Sequence, residues 1–89
     1  MRNRSRTEIV AIILDAANGE GETKTKIMYF VFLSYNQLND YLSILIENNL
    51  IKYIDGARTF KTTAKGLHFL KMHNEMTELL QQTTTFENN

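Results

Sequence analysis

Residues 33–51 read LSYNQLNDYLSILIENNLI, and this stretch carries the clearest local structural signals in the chain. Ser34, followed three residues later by Gln37, forms a capping-box pattern that predicts the start of a helix. The apolar residues that then recur at helical spacing are Leu38, Leu42 and Leu45. They predict one buried stripe. The helix is expected to end at 48–49, because asparagine tolerates the left-handed backbone of a C-terminal cap.

Two shorter helices are predicted before this one. Thr7 is a candidate N-cap, and apolar residues at helical spacing extend a first helix over about 7–18. A second helix begins near Thr23, although 27–33 could form a strand by propensity alone. We favour a helix because the Thr-Lys-Thr-Lys entry leads closely into the next helix. Its apolar residues are Ile27, Met28, Phe30 and Val31.

Two β-rich runs follow, separated by Asp55-Gly56, a dipeptide typical of a two-residue hairpin loop. The cross-strand pairs that this loop predicts are Tyr53 with Arg58 and Ile51 with Phe60. Thr63 then caps a last helix that reaches about residue 82, with Leu67 and Leu70 on the core. The predicted fold is therefore α+β, with three helices, a two-stranded hairpin and a long C-terminal helix.

The composition restricts the class of protein. The 89 residues are 43% hydrophobic and 22% charged, which is typical of one small globular domain. The chain has no cysteine, which excludes disulfides, zinc–thiolate sites and a cysteine nucleophile. Every apolar run is far shorter than the roughly 20 residues of a membrane-spanning helix. We expect an intracellular, cytoplasmic protein without a membrane partner.

The charge is balanced overall but asymmetric along the chain. Residues 1–71 hold all ten basic groups and seven acidic groups, a net charge of +3. Residues 72–89 hold three acidic groups and no basic group, a net charge of −3. The first part of the chain is therefore the part suited to an anionic partner.

Three segments together resemble a winged helix-turn-helix protein: 33–51, the DG-turned hairpin, and TFKTTAKGLHFL at 59–70. More narrowly, KTKIMY at 24–29 followed by LSYNQLNDYL is similar to the small archaeal winged-helix DNA-binding proteins that dimerise through a C-terminal helix. The resemblance covers about residues 7–80. The chain departs from the pattern in having Asn-Asn rather than Gly before Leu-Ile, and in having a shorter last helix.

Residues 83–89 are expected to form a frayed tail. The resemblance implies two parts before it: a winged helix-turn-helix region over 1–62 with a basic N-terminal arm, and a dimerisation helix over 63–82. It also implies binding to double-stranded DNA, with the third helix in the major groove and the hairpin beside the backbone. The implied DNA-contacting positions are Lys24, Lys26, Ser34, Tyr35, Asn36, Gln37, Asn39, Tyr41, Arg58 and Lys61.

The residue chemistry agrees with such a role. Asn36 and Gln37 can each bond bidentately to adenine, which favours A·T pairs. The helix N-terminus can hold a phosphate through its free N–H groups. The acidic side chains of Asp40 and Glu47 oppose contact with phosphates. The basic arm follows a minor groove or is disordered; its arginines are Arg2, Arg4 and Arg6.

The last helix predicts a homodimer, because it carries an apolar seam that a lone domain does not cover. The predicted interface residues are Phe69, Met72, His73, Met76, Leu79 and Leu80. The alternative is that this helix folds entirely back on its own domain.

No catalytic, metal or cofactor site is predicted. His68 and His73 are five residues apart and point to different helix faces, unlike the i, i+4 pairs that bind zinc. The sequence favours a homodimeric transcriptional regulator, or a minor architectural protein associated with the nucleoid. The alternative is a winged helix that binds proteins and not nucleic acid, which the zero net charge and the outward Ile44 and Ile46 favour.

Overall fold

The structure is a computed structural model that describes the backbone of residues 4–87 and the side chains of residues 4–81. Its elements are α1 (Arg6–Ala16), α2 (Lys24–Val31), α3 (Tyr35–Glu47), β1 (Ile51–Ile54), β2 (Thr59–Thr62) and α4 (Ala64–Glu87). The two strands form an antiparallel hairpin. This order confirms the predicted α+β architecture, and the segment after Thr23 is a helix rather than a strand.

The cap of α1 differs from the prediction. Ser5, not Thr7, is the N-cap, and α1 begins at Arg6. The Ser5 hydroxyl accepts a hydrogen bond from the Glu8 N–H at 3.1 Å, and the Glu8 carboxylate accepts one from the Ser5 N–H at 2.8 Å. Ser5 is favoured because the acidic residue three positions later completes a capping box. The helix ends at Ala16, about two residues before the expected end.

Both ends of α3 form as predicted. Gln37 and Ser34 exchange the two hydrogen bonds of a capping box. At the other end Asn49 has a left-handed φ of 61°. The Leu50 N–H donates to the Leu45 carbonyl at 2.9 Å, and the Asn49 N–H donates to the Ile46 carbonyl at 3.0 Å. This is a Schellman motif, and asparagine takes the left-handed position that glycine most often occupies.

One core joins all the elements. Helix α1 contacts α2, α4 and β2, while α3 contacts β1. The buried hydrophobic residues are Ala11, Ile13, Leu14, Ala17, Ile27, Val31, Leu38, Leu42, Leu45, Ile51, Phe60 and Leu70. The leucine stripe of α3 is therefore buried within its own domain, as the spacing predicts. Phe30 is exposed, because the buried face of α2 is formed by Ile27 and Val31.

The predicted hairpin register is wrong by two residues. The loop contains four residues, 55–58, and the observed pairs are Tyr53 with Phe60 and Ile51 with Thr62. Arg58, with a φ of 55°, takes the left-handed conformation that the loop requires. The shift by two keeps each side chain on its predicted face, so the hairpin still turns Ile51 and Phe60 inward.

Contacts with the helices fix this register. The Glu22 N–H donates to the Phe60 carbonyl and the Phe60 N–H donates to the Glu22 carbonyl, each at 2.8 Å. The buried Thr62 hydroxyl donates to the Leu14 carbonyl at 2.6 Å. The hairpin is therefore bonded to the end of α1 and to the entry of α2.

Helix α4 starts in close contact with the rest of the domain. Thr63 caps it by accepting a hydrogen bond from the Gly66 N–H at 3.1 Å. Gly66 is buried against the Leu50 carbonyl and the Thr62 methyl group, which leave no room for a Cβ atom. Leu70 is buried as predicted, but Leu67 is exposed.

The helical backbone of α4 continues to Glu87, beyond the predicted end near 82 and through most of the segment expected to fray. Residues 88–89 lie outside the described residues.

Candidate nucleic-acid interface

The outward surface of α3 divides into a central stripe and two flanks. The stripe opposite the leucines contains exposed Asn36, Asp40, Ser43 and Glu47. One flank lies beside the start of α2 and the hairpin, and the other lies beside the start of α1. Asn36 and Gln37 are both exposed, but they do not share the same surroundings.

The flank beside α2 is organised by one lysine. The Lys24 ammonium donates to the Asn39 side-chain oxygen at 2.6 Å. The same Nζ atom lies 4.8 Å from the centroid of the Tyr35 ring, in cation–π contact. An ammonium has three N–H donors, so Lys24 can hold Asn39 and still donate to a phosphate.

This arrangement also changes the ionisation of Tyr35. Hydrogen bonding to Asn39, followed by hydrogen bonding and positive charge from Lys24, lowers the pKa of the Tyr35 hydroxyl. Both effects favour the anionic form. Lys24, Tyr35 and Asn39 are therefore one interacting group at the start of α3, although they are distant in sequence.

The second flank contains Gln37. Its side-chain oxygen accepts a hydrogen bond from the Ser34 N–H at 3.0 Å, and the Ser34 hydroxyl accepts one from the Gln37 N–H at 3.2 Å. Bidentate bonding to adenine requires both the amide oxygen and the amide nitrogen. Gln37 would have to give up its capping bond to read a base in that way, whereas Asn36 lies on the exposed central stripe.

The hairpin adds a second cation to the Lys24 flank. The Tyr53 and Phe60 rings pack with centroids 5.0 Å apart. These two rings line a cleft together with Ile46 of α3, Lys24 and Arg58. The structure thus brings Lys24 and Arg58 to one cleft between α3 and the hairpin.

Lys61 lies on the opposite face of the hairpin. It pairs with Lys52, and strand alternation turns both side chains away from Tyr53 and Phe60. Lys52 was not among the predicted positions. The correct loop length would have indicated it, because the two-residue loop pairs Lys52 with Thr59 instead.

The remaining predicted positions are dispersed. Lys26 is exposed on the outer face of α2. Tyr41 is half-buried and lines a shallow depression beside α1, together with Arg6, Gln37, Asp40 and Ile44. Arg4 is exposed, and Arg6 is the first residue of α1 rather than part of an arm. Arg2 lies outside the described residues.

The predicted seam of α4 is not uniform. Met72 and Met76 are 51% and 61% exposed, and Leu79 and Leu80 are exposed as well. Phe69 and His73 are half-buried, with ring planes 9° apart and centroids 6.4 Å apart. His73 also lines a groove between α1 and α4. The exposed part of the seam therefore begins at Met72.

Among residues 4–81, no cluster of three His, Asp or Glu side chains is arranged to hold a metal ion. None of the helices in the described part of the chain has the length and apolar character needed to span a membrane.

Comparison with known proteins agrees with this architecture. The chain is 32% identical over 77 residues to the uncharacterized protein MJ0290 of Methanocaldococcus jannaschii, an archaeon. That match covers 86% of this chain and 36% of the relative, so the chain spans about a third of the relative's length. The profile described as winged helix-turn-helix matches residues 3–81. This family is typically a non-enzymatic DNA-binding domain, and the chain belongs to the winged helix-turn-helix family.

Proposed function

We propose that the protein binds double-stranded DNA with the first turn of α3 in the major groove and the hairpin beside the backbone. The observation that carries the proposal is the position of Lys24. It holds Tyr35 and Asn39 at the start of α3 and shares a cleft with Arg58 of the hairpin. Cations held beside a helix N-terminus are suited to phosphates that flank a groove.

The contacts have different roles in this proposal. Lys24 and Arg58 bind phosphates from the cleft, while Lys26 and Lys61 add phosphate contacts from the outer faces of α2 and the hairpin. Asn36 reads a base edge, preferably adenine. Gln37 mainly fixes the helix start through its capping bond with Ser34.

The acidic residues limit how far α3 enters the groove. Asp40 and Glu47 are exposed on the same central stripe as Asn36. Their carboxylates would repel phosphates if the whole helix lay along the groove. The proposed contact is therefore confined to the first turn of α3, around Asn36.

We further propose that the protein acts as a homodimeric transcriptional regulator, or as a minor architectural protein of the nucleoid. Exposed Met72 and Met76 would be covered by α4 of a second copy. A two-fold dimer with recognition helices about 34 Å apart would require a palindromic site. The net charge of +3 on residues 1–71 suits a regulator more than an abundant DNA coat, which is usually strongly basic.

The test begins with a selection of bound duplexes from a random library, followed by anisotropy titrations at two salt concentrations. Lys24→Met should weaken binding to all sequences alike and reduce the salt slope by about 1. Asn36→Ala should reduce the preference for the selected sequence by about tenfold. Lys71→Met, which removes an exposed charge from α4, is the matched control and should leave both quantities nearly unchanged.

Equal losses of duplex affinity in Lys24→Met and Lys71→Met would contradict the proposed role of Lys24. Absence of duplex binding at low salt would contradict the proposal as a whole. It would favour a second function, recognition of a protein by α3, for which the exposed Ile44 and Ile46 provide apolar contact area.

A further inference from the structure

The segment from α2 to the start of α3 carries four exposed aromatic side chains. The core does not bury them, and the proposed duplex contacts do not use all four. Tyr29, Phe30 and Phe32 are 75%, 58% and 83% exposed, and Tyr35 is 57% exposed. We call these four residues the aromatic surface. They lie on the outer part of α2, in the turn after it and at the start of α3. Exposed apolar side chains concentrated in one short segment often mark a binding surface.

Phe32 is the most informative member of the aromatic surface. Its backbone is left-handed, with φ 55° and ψ 47°, and its N–H donates to the Met28 carbonyl at 2.9 Å to end α2. Glycine or asparagine usually occupies such a position, because a Cβ atom makes this conformation costly. The chain therefore keeps a large aromatic residue where the backbone disfavours it and where its ring is solvent-exposed.

The charges around the aromatic surface point to an anionic partner. Residues 24–35 read KTKIMYFVFLSY, with two lysines and no carboxylate. Lys26 precedes Tyr29 and Phe30 by three and four residues, so it lies one turn away on the same helix face. Lys24 lies over the Tyr35 ring. Each end of the aromatic surface thus has an ammonium group beside it.

We propose that the aromatic surface binds single-stranded DNA. Unpaired bases stack on the exposed rings, and their phosphates contact Lys26 and Lys24. Single-strand binding proteins combine these two kinds of contact, because every base has a face that stacks on an aromatic ring. A base paired within a duplex has its faces covered by its neighbours. The aromatic surface is therefore a second DNA-binding function, and it shares Lys24 and Lys26 with the proposed duplex contact.

The experiment compares a labelled (dT)12 oligonucleotide with a duplex of the same length, using anisotropy at low salt. Phe32→Asn removes the ring but retains a residue that accepts the left-handed backbone. Affinity for (dT)12 should fall about tenfold, the loss of one stacked base. Affinity for the duplex should change by less than about twofold, and Tm should rise by about 4 °C as backbone strain is removed.

Leu67→Ala is the matched control, since it removes an exposed apolar side chain from α4 instead. It should leave (dT)12 affinity unchanged. Tyrosine emission provides an independent readout because the chain has no tryptophan. Stacking of bases on Tyr29 and Tyr35 should quench that emission in the wild-type protein.

Several results would overturn the proposal. One is wild-type protein that does not bind (dT)12, and another is unchanged (dT)12 affinity in Phe32→Asn. An equal loss of (dT)12 and duplex affinity in that variant would assign the ring to the duplex site. A lower Tm would show that the ring packs within the fold. If Phe32→Asn lost self-association in sedimentation but still bound (dT)12 as the wild type does, the aromatic surface would be assigned to contact with a second copy of the chain.

Discussion

Helices α3 and α4 differ in how much of their apolar surface is buried within the domain. In α3 the leucine stripe is buried in its own domain, and residues of the same chain cap both ends. In α4 only the first part is covered, where Gly66 and Leu70 are buried, while Met72 and Met76 are exposed. The apolar stripe of α3 is buried by its own chain, whereas α4 carries apolar side chains that are exposed to solvent. The first is part of the core, and the second carries the surface that the proposed dimer would bury.

The largest expected effect tests how far α3 is built into the domain. Leu45→Ala removes a fully buried side chain and should lower the free energy of unfolding by about 3 kcal/mol, through lost burial and the cavity left behind. The neighbouring Ile46→Ala should cost less than about 1 kcal/mol, because Ile46 is exposed. Urea denaturation measures both values. Similar losses of unfolding free energy in the two variants would contradict the description of α3 as a helix with one buried face and one exposed face.

A second variant tests the exposed apolar part of α4, which begins at Met72. Met76→Glu should raise the dimer dissociation constant by at least about tenfold, because it buries a carboxylate in the proposed apolar interface. Thr77→Glu, on the next exposed position, is the matched control and should have a much smaller effect. Sedimentation velocity over a range of concentrations separates them. Wild-type protein that remains monomeric at micromolar concentration would remove the basis for the dimer.

The smallest effect concerns the start of α3. Lys24→Met should raise the pKa of Tyr35 toward the ordinary value of about 10, since it removes a hydrogen bond and a positive charge. A lowered pKa stabilises the fold only at alkaline pH, where unfolded tyrosine also ionises, and this contribution is lost as the pH falls through the folded-state pKa. Absorbance at 295 nm during a pH titration reports the ionisation.

Lys71→Met is the control for this titration, because Lys71 lies on α4. An identical tyrosine titration in the wild type and in Lys24→Met would show that Lys24 does not act on Tyr35.

The parts of the fold that depend on local chemistry were predictable. The start of α3 follows from Ser34 and Gln37, which are three residues apart and bond directly to each other. The end of α3 follows from Asn49, because its own backbone conformation ends the helix. The hairpin register was not predictable in this way. It depends on the left-handed Arg58 and on the bridge between Glu22 and Phe60, which are distant in sequence.

The same distinction applies to the candidate site. Sequence reasoning selected Lys24, Tyr35 and Asn39 as separate DNA contacts, but their interaction depends on how α2 packs beside α3. The sequence also predicts a base-reading role for Gln37, but the amide oxygen that this role needs accepts the capping bond from Ser34. The exposure of Phe32 has no sequence signal of its own, because an apolar residue between two helices is normally expected to be covered.

Gly66 has a consequence for assembly. The Leu50 carbonyl and the Thr62 methyl group occupy the space that a Cβ atom would need here, so the first turn of α4 is closely packed against Leu50 and the hairpin. In the proposed dimer this packing would restrict rotation of each domain relative to its own α4. One extra base pair between half-sites turns one of them by about 35° around the DNA axis. A dimer restricted in this way would bind best at one half-site spacing, so the length of its operator would matter as well as the sequence.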